Sequence, residues 1–326
     1  MTRSWLLLPA LLAAGTMADP ATAQTYPSKP IRILVGFAAG GPADVMARIL
    51  APRMSVTLGQ PVVVDNRPGA GGTIAARAAA DSDADGYTLL LGNTSTLVIS
   101  PLIYKTIGYD PLKAFAPVAR IGTTSNLLVA NPAFADKFAR SVPALVAYAK
   151  ANPDKLNYSS PGIGTPPHLI GEMFKYRAGI NAVHVPYKGG SLSTQAVIGG
   201  EVQFTFENPA VVLPLAQAKT VHALAVTSET RSAQAPELPT MIESGLPDFA
   251  SVSFTGVVAP AGTPAAVITR LNAVINEALR VPEVAALLNK LSVDAKSETA
   301  GEFTTFLTQE LARLAPVVKA AGIVAE

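Results

Sequence analysis

Short apolar runs alternate with longer helical stretches along this chain, and that alternation limits its fold more than any other feature. The runs are Ile31 to Val35, Val62 to Val64, Thr88 to Leu91, Leu127 to Ala130, Leu156 to Ser159, Ala182 to Val185, Val202 to Phe206 and His222 to Val226. Such alternation predicts βαβ units on largely parallel sheets, because a parallel strand pair needs a crossover long enough to hold a helix. A helix is predicted over Ala144 to Ala151, opened by Ser141 and Pro143 and followed by Pro153. The chain ends differently. Helical patterns cover Thr263 to Leu291 and Thr299 to Ala320, with Thr263 and Pro264 as cap and first-turn proline and Gly322 as a stop, and these helices are expected to pack on one lobe. Thr230 to Asp248 carries Pro236, Pro239 and Pro247 without a clean period and reads as a long surface connection to a strand over Val252 to Val258.

The N-terminus has the layout of a cleavable secretory signal: Arg3, an apolar run from Trp5 to Ala14, then small residues ending Ala21-Thr22-Ala23. The run falls short of the roughly 20 apolar residues of a spanning helix, and Pro9 and Gly15 interrupt its surroundings. Cleavage is expected near Ala23, with the mature chain starting near Gln24. The roughly 300 residues left suggest two domains. The expected division is 1–23 as signal, 24–124 plus 250–326 as lobe one, and 125–249 as lobe two. No cysteine is present, so disulfides, thiolate metal sites and cysteine nucleophiles drop out. The formal net charge is +2, Lys and Arg are scattered singly, and aromatic residues are only 6% of the chain. That is no footprint for nucleic acid or a membrane surface.

Two glycine loops carry the candidate chemistry. The first, GFAAGGPAD from Gly36 to Asp44, follows a strand and opens an amphipathic helix, so Phe37, Ala38, Ala39, Gly40, Gly41 and Ala43 lie where backbone N–H groups can meet an anion. The second, SSPGIGTPPH from Ser159 to His168, is expected to repeat that geometry in the other half, with Ser160, Gly162, Gly164, Thr165 and a neutral His168 as contacts. Either loop alone is as readily an ordinary βα turn. The pair is what points to a ligand between two lobes. Further candidates are Asn93, Thr94, Ser95 and Thr96 at a strand end, Asn208 as cap or contact, and Tyr187 beside a turn.

The usual catalytic signatures are missing. The first loop closes on Gly41-Pro42-Ala43, without the lysine and hydroxyl of a P-loop, and neither loop has the dinucleotide spacing GxGxxG. There is no GxSxG elbow, and His168, His184 and His222 show no zinc spacing; His184 and His222, in apolar strand contexts, read as core residues. Asp44 reads as a capping or dipole-paired residue rather than a general base. No catalytic group, cofactor or metal is assigned.

Taken in order, the strand with GFAAGGPAD, VVVDNRPGAGG (62–72), HVPYKGG (184–190), ALAVTSETR (223–231), ELPTMIESGLP and VAPAGTP resemble the tripartite tricarboxylate transporter receptors, called Bug or TctC proteins. The resemblance runs from Tyr26 to Gly322. It implies a type II periplasmic binding protein fold, α/β, with two doubly wound lobes and a carboxylate held in the cleft between them. It places contacts on Phe37 to Ala43, on Thr94 to Thr96, on Gly162 to His168 and near Asn208. The chain departs from the family pattern at Ala39, where Pro-Gly-Gly is common in place of Ala39-Gly40-Gly41, at Glu207 in place of Asp, and at Phe254 in place of Trp. The function so implied is a periplasmic, monomeric receptor handing a small carboxylate to a membrane permease. A ligand sensor for a signalling system and an α/β enzyme are the alternatives.

Overall fold

The computed structural model describes residues 26–323. The secretory signal expected over 1–23 lies outside the described residues.

Two separate sheets organise the chain. The first half runs β1 (Ile31–Val35), α1 (Pro42–Leu58), β2 (Val62–Asn66), α2 (Thr73–Ala80), β3 (Thr88–Asn93), the short helices α3 (Ser100–Ile103) and α4 (Pro111–Ala114), and β4 (Phe115–Ser125). Then follow β5 (Leu127–Ala130), α5 (Pro132–Phe138), α6 (Val142–Ala151), β6 (Asn157–Ser160), α7 (Pro166–Ala178), β7 (Val183–Pro186), α8 (Gly190–Gly199), β8 (Phe204–Glu207), α9 (Pro209–Gln217) and β9 (His222–Val226). The chain returns through β10 (Val252–Pro260), α10 (Ala265–Leu279), α11 (Pro282–Lys290), β11 (Asp294–Ala295) and α12 (Ala300–Ala320). Sheet one has the order β11-β4-β10-β3-β1-β2 and sheet two β7-β6-β8-β5-β9.

Neither sheet is largely parallel, contrary to expectation. β1 is parallel to β2 and β3, and β6 to β7 and β8, but β10 runs antiparallel between β3 and β4, and β5 antiparallel between β8 and β9. β10 and β5 are the strands that follow the two crossings from one sheet to the other, and the two-residue β11 also pairs antiparallel with β4. β4, absent from the sequence reading, is the longest strand at 11 residues. Pro117, Arg120 and Gly122 break its apolar pattern. Arg120 is nevertheless buried, because Glu298 meets it with two hydrogen bonds of 3.0 and 2.6 Å and the Phe306 ring lies 3.9 Å from its guanidinium carbon.

The C-terminal reading needs two corrections. Thr263 is no cap: its hydroxyl donates to Pro260 O at 2.7 Å, and α10 begins at Ala265 after Pro264. The helical stretch to Leu291 is two helices, since Pro282, lacking an N–H, starts a new first turn. All three helices pack beside sheet one, α10 and α11 on α1 and both α10 and α12 on β4, and α12 also reaches α7 of sheet two. The segment 230–248 has no helix or strand, as expected, but it is more than a surface connection: Ala235, Met241 and Leu246 are buried.

Two crossings join the sheets, Ser125 to Leu127 and Val226 to Val252, and one threonine ties them. The fully buried Thr227 accepts a hydrogen bond on Oγ1 from the Asn126 N–H at 2.8 Å and donates to Ser251 O at 2.6 Å. Backbone bonds from Thr227 N to Asn126 O and from Ser251 N to Thr227 O, 2.9 and 2.7 Å, complete the knot. Thr227→Val keeps the side-chain shape but leaves the buried Asn126 N–H without its acceptor. It is expected to lower the unfolding free energy by about 1–3 kcal/mol in urea titrations, whereas Thr227→Ser should cost only about 1 kcal/mol for the lost methyl. Equal losses in the two variants would assign the effect to packing.

Candidate functional site

The first loop is held open by backbone contact with a second glycine turn. Gly36 follows β1, and a Cβ built there would stand 2.5 Å from Gly72 Cα, so both positions must stay bare. Gly72 in turn has φ +92° and leaves room for the Thr96 hydroxyl and the Phe37 ring. The motif VVVDNRPGAGG thus acts by packing, bringing the loops after β1, β2 and β3 together. Asn66, at the end of β2, donates to Phe37 O at 3.1 Å and accepts from Arg48 at 3.1 Å.

Asp44 sits inside this frame and uses part of the anion site itself. Its carboxylate accepts the Gly40 N–H at 2.8 Å and pairs with Arg48 Nε at 2.9 Å. The Arg48 hydrogen bond, with the Gly40 N–H and Asn66, outweighs burial and lowers the carboxyl from 3.8 to about 2. Gly41 N–H is also spent, on Ala38 O at 3.2 Å. Among the described residues the N–H groups of Ala43 and Asp44, in the first turn of α1, have no acceptor, and Ala38, Ala39 and Gly40 are exposed beside them. That first turn is the anion-ready part of the loop.

The second loop does not repeat this geometry. Pro166 and Pro167 open α7 and carry no N–H. Three of the remaining donors are engaged, Gly162 N–H with Ser160 Oγ at 3.1 Å, Gly164 N–H with His168 Nδ1 at 3.3 Å and Thr165 N–H with Gly162 O at 3.4 Å, so that among the described residues the first turn of α7 keeps only the His168 N–H without an acceptor. The Thr165 hydroxyl donates to Gly162 O at 2.7 Å and makes no cap bond. What this loop presents instead is a pair of imidazoles. His168 and His184 stack with ring centres 3.9 Å apart, and Ser160 Oγ lies 2.6 Å from His184 Nε2. Burial, before any effect of the α7 dipole, holds His168 below its ordinary value, with Lys175 adding to it and Glu172 opposing. Burial, then His168, pushes His184 down to about 3. Since His168 Nδ1 accepts from Gly164, a neutral ring carries its proton on Nε2. His184, read from sequence as a core residue, belongs to this cluster; its one signal was a place on β7 beside β6, where Ser160 ends the paired strand.

The remaining candidates divide. Thr94 Oγ1 accepts the Phe254 N–H at 2.7 Å, tying the loop to β10, and Thr96 Oγ1 lies between Asn93 Oδ1 and Gly71 O, tying it to the glycine turn after β2. Ser95 is half-buried and its hydroxyl has no partner among the described residues. Tyr187 donates to Glu201 at 3.1 Å, and Asn208 caps α9 by accepting the Ala210 N–H at 2.8 Å. The second loop comes up against α3 of the first half: a Cβ on Gly164 would come within 2.7 Å of Ile103 Cδ1. No group of His, Asp or Glu among the described residues is placed to hold a metal ion.

A sequence model of the "Tripartite tricarboxylate transporter family receptor" matches residues 46–323. The chain belongs to this family. Protein BugT of Bordetella pertussis (strain Tohama I) is 38% identical over 323 residues, covering 99% of this chain and 98% of the relative. An R. palustris protein solved with adipate superposes with a TM-score of 0.79 at 34% identity, over 92% of this chain and 99% of that one. MatC from Rhodopseudomonas palustris, solved with bound malate, gives 0.76 at 29% identity, over 90% and 100%. The two-lobed fold and the receptor class follow for this chain. Among the described residues no helix is long and apolar enough to cross a membrane.

Because the Asp44 carboxyl is lowered in the fold, its contribution to stability is complete above pH 3.8 and is lost as pH falls toward about 2. The stability gap between wild type and Asp44→Asn, read from urea titrations, should therefore be constant near neutrality and close between those two pH values. A gap unchanged at the acid end would mean that the Arg48 and Gly40 contacts do not hold the charge.

Proposed function

We propose that this protein is a periplasmic receptor that binds a small carboxylate between its two lobes and presents the closed form to the membrane permease of a tripartite tricarboxylate transporter. The observation that carries this reading is the first turn of α1, where the Ala43 and Asp44 N–H groups stand free beside the exposed Ala38 to Gly40. A carboxylate placed there gains charge-assisted hydrogen bonds and the helix dipole without any cationic side chain. Ser95 and the His168 imidazole add neutral donors from either side of the cleft. The adipate and malate held by the two R. palustris relatives are of the chemical class that such a site takes.

The lobes in this reading are 26–124 with 250–323, and 125–249, joined at the Thr227 knot, and the receptor acts as a monomer. Cleavage of a signal near Ala23 would deliver it to the periplasm. Closure about the two crossings is a hinge transition, and saturating ligand should reduce the radius of gyration in small-angle scattering.

In a thermal-shift panel at least one small carboxylate should raise the melting temperature while ATP and NAD leave it unmoved. Stabilisation by nucleotides alone would sink the reading. The α1 contact has its own test in Ala43→Pro, which removes one free N–H and copies the Pro166-Pro167 start that α7 already tolerates. Isothermal titration should show about a ten-fold or greater loss of affinity. Arg67→Ala and Lys188→Ala, altering a residue paired with Asp65 and an exposed one, should change it by less than about three-fold.

A further inference from the structure

A single guanidinium closes a chain of hydrogen bonds around the first loop. Arg48 lies on α1 one turn beyond Asp44, with its side chain half exposed. Its Nε meets both Asp44 oxygens at 2.9 Å, and Asp44 Oδ2 accepts the Gly40 N–H at 2.8 Å. Its Nη2 donates to Asn66 Oδ1 at 3.1 Å, and Asn66 Nδ2 donates to Phe37 O at 3.1 Å. A guanidinium carries donors only, so the Asn66 oxygen must face it and the amide nitrogen is left for Phe37. The loop between β1 and α1 is thereby held at two points, Phe37 O and Gly40 N, from two edges of one planar group.

Between those points the loop has little stiffness of its own. Ala38, Ala39 and Gly40 are exposed, none has a side chain larger than a methyl, and the bond from Gly41 N–H to Ala38 O lies within the loop. A loosened loop competes with the ligand, because its own carbonyls can turn onto the free Ala43 and Asp44 N–H groups, as unpaired helix starts are ordinarily satisfied. Apparent affinity then falls by the fraction of molecules whose loop is in place. The guanidinium itself is a poor ligand for an anion, since the Asp44 carboxylate already pairs with its charge.

We infer that Arg48 is a positioning residue for ligand binding: without touching the carboxylate, it ties the first loop through Asn66 and Asp44 and keeps the first turn of α1 clear for the anion. This deepens the carboxylate reading and rests on it. A lysine would keep the charge pair with Asp44, but its single nitrogen does not reproduce the planar fork that reaches Asn66 at the same time.

The test uses the full mature chain and isothermal titration with succinate, malate, glutarate, adipate and citrate, continued with whichever binds most tightly. Arg48→Ala and Asn66→Ala should each weaken binding about ten-fold. The double variant should lose no more than about three-fold beyond the worse single one, because both cut the same relay. Arg48→Lys should lose nearly as much as Arg48→Ala, with circular dichroism confirming each fold. Hydrogen exchange gives a readout that needs no ligand: the Gly40 amide should exchange about ten-fold faster in both Arg48 variants, while the Leu50 amide in the middle of α1 keeps its wild-type rate. Should the alanine variants not fold, Arg48→Lys carries both measurements. If Arg48 held the ligand directly, Arg48→Lys would bind nearly as wild type and Asn66→Ala would change little. If it served only the helix surface, stability would fall with affinity unchanged. Either result, or a Gly40 amide indifferent to residue 48, overturns the assignment and leaves the carboxylate reading standing. If none of the five acids binds, both readings fall.

Discussion

The two sheets can face one ligand only because the chain crosses between them at one place, and Thr227 fixes that place. With Asn126 on one crossing and Ser251 on the other, its hydroxyl accepts from the first and donates to the second. Two strands that leave different sheets are thereby held side by side at a buried point, where an unpaired N–H would be expensive. The position of the cleft follows. β5 starts immediately after Asn126 and sets Leu127 opposite Glu207, while β10, starting after Ser251, sets Thr255 opposite Asn93. Loops from both lobes therefore open next to the crossing and not at the far edges of the sheets.

What the sequence makes legible is local. Runs such as Ile31 to Val35 and Thr88 to Leu91 form strands as expected because their burial depends on their own apolar side chains. Ser141 caps α6 as its type predicts, accepting the Ala144 N–H at 3.3 Å. What stays hidden depends on a distant partner. β4 is buried with an arginine in it because Glu298 arrives 178 residues later. The antiparallel placement of β10 and β5 is equally invisible, since it is decided by where the chain returns and not by any pattern within the strand.

The candidate site divides along the same line. The free donors at the start of α1 are legible from the strand-to-helix turn, yet the loss of the Gly40 and Gly41 donors depends on Asp44 and Ala38 turning back onto them. In the second loop the sequence did carry the decisive signal. Two successive prolines at the start of a helix remove two of the donors on which an anion site depends, whatever the glycines around them allow. His184 and Glu207 are a different case: each lies on a strand whose neighbour supplies its environment, and strand pairing is not written in either residue.

The lobes therefore contribute unequal chemistry to one cleft. Lobe one offers N–H donors at a helix start and a carboxylate already paired with Arg48, so the first turn of α1 carries partial positive charge. Lobe two offers imidazoles whose protonation burial disfavours, and a buried carboxylate, Glu207, held through one oxygen by the Asn208 N–H. Closure over a bound carboxylate would remove water from both lobes at the same step, where the electrostatic gain is largest. The free energy that favours the closed form then comes from the same contacts that select the ligand, which is the coupling a transport receptor requires.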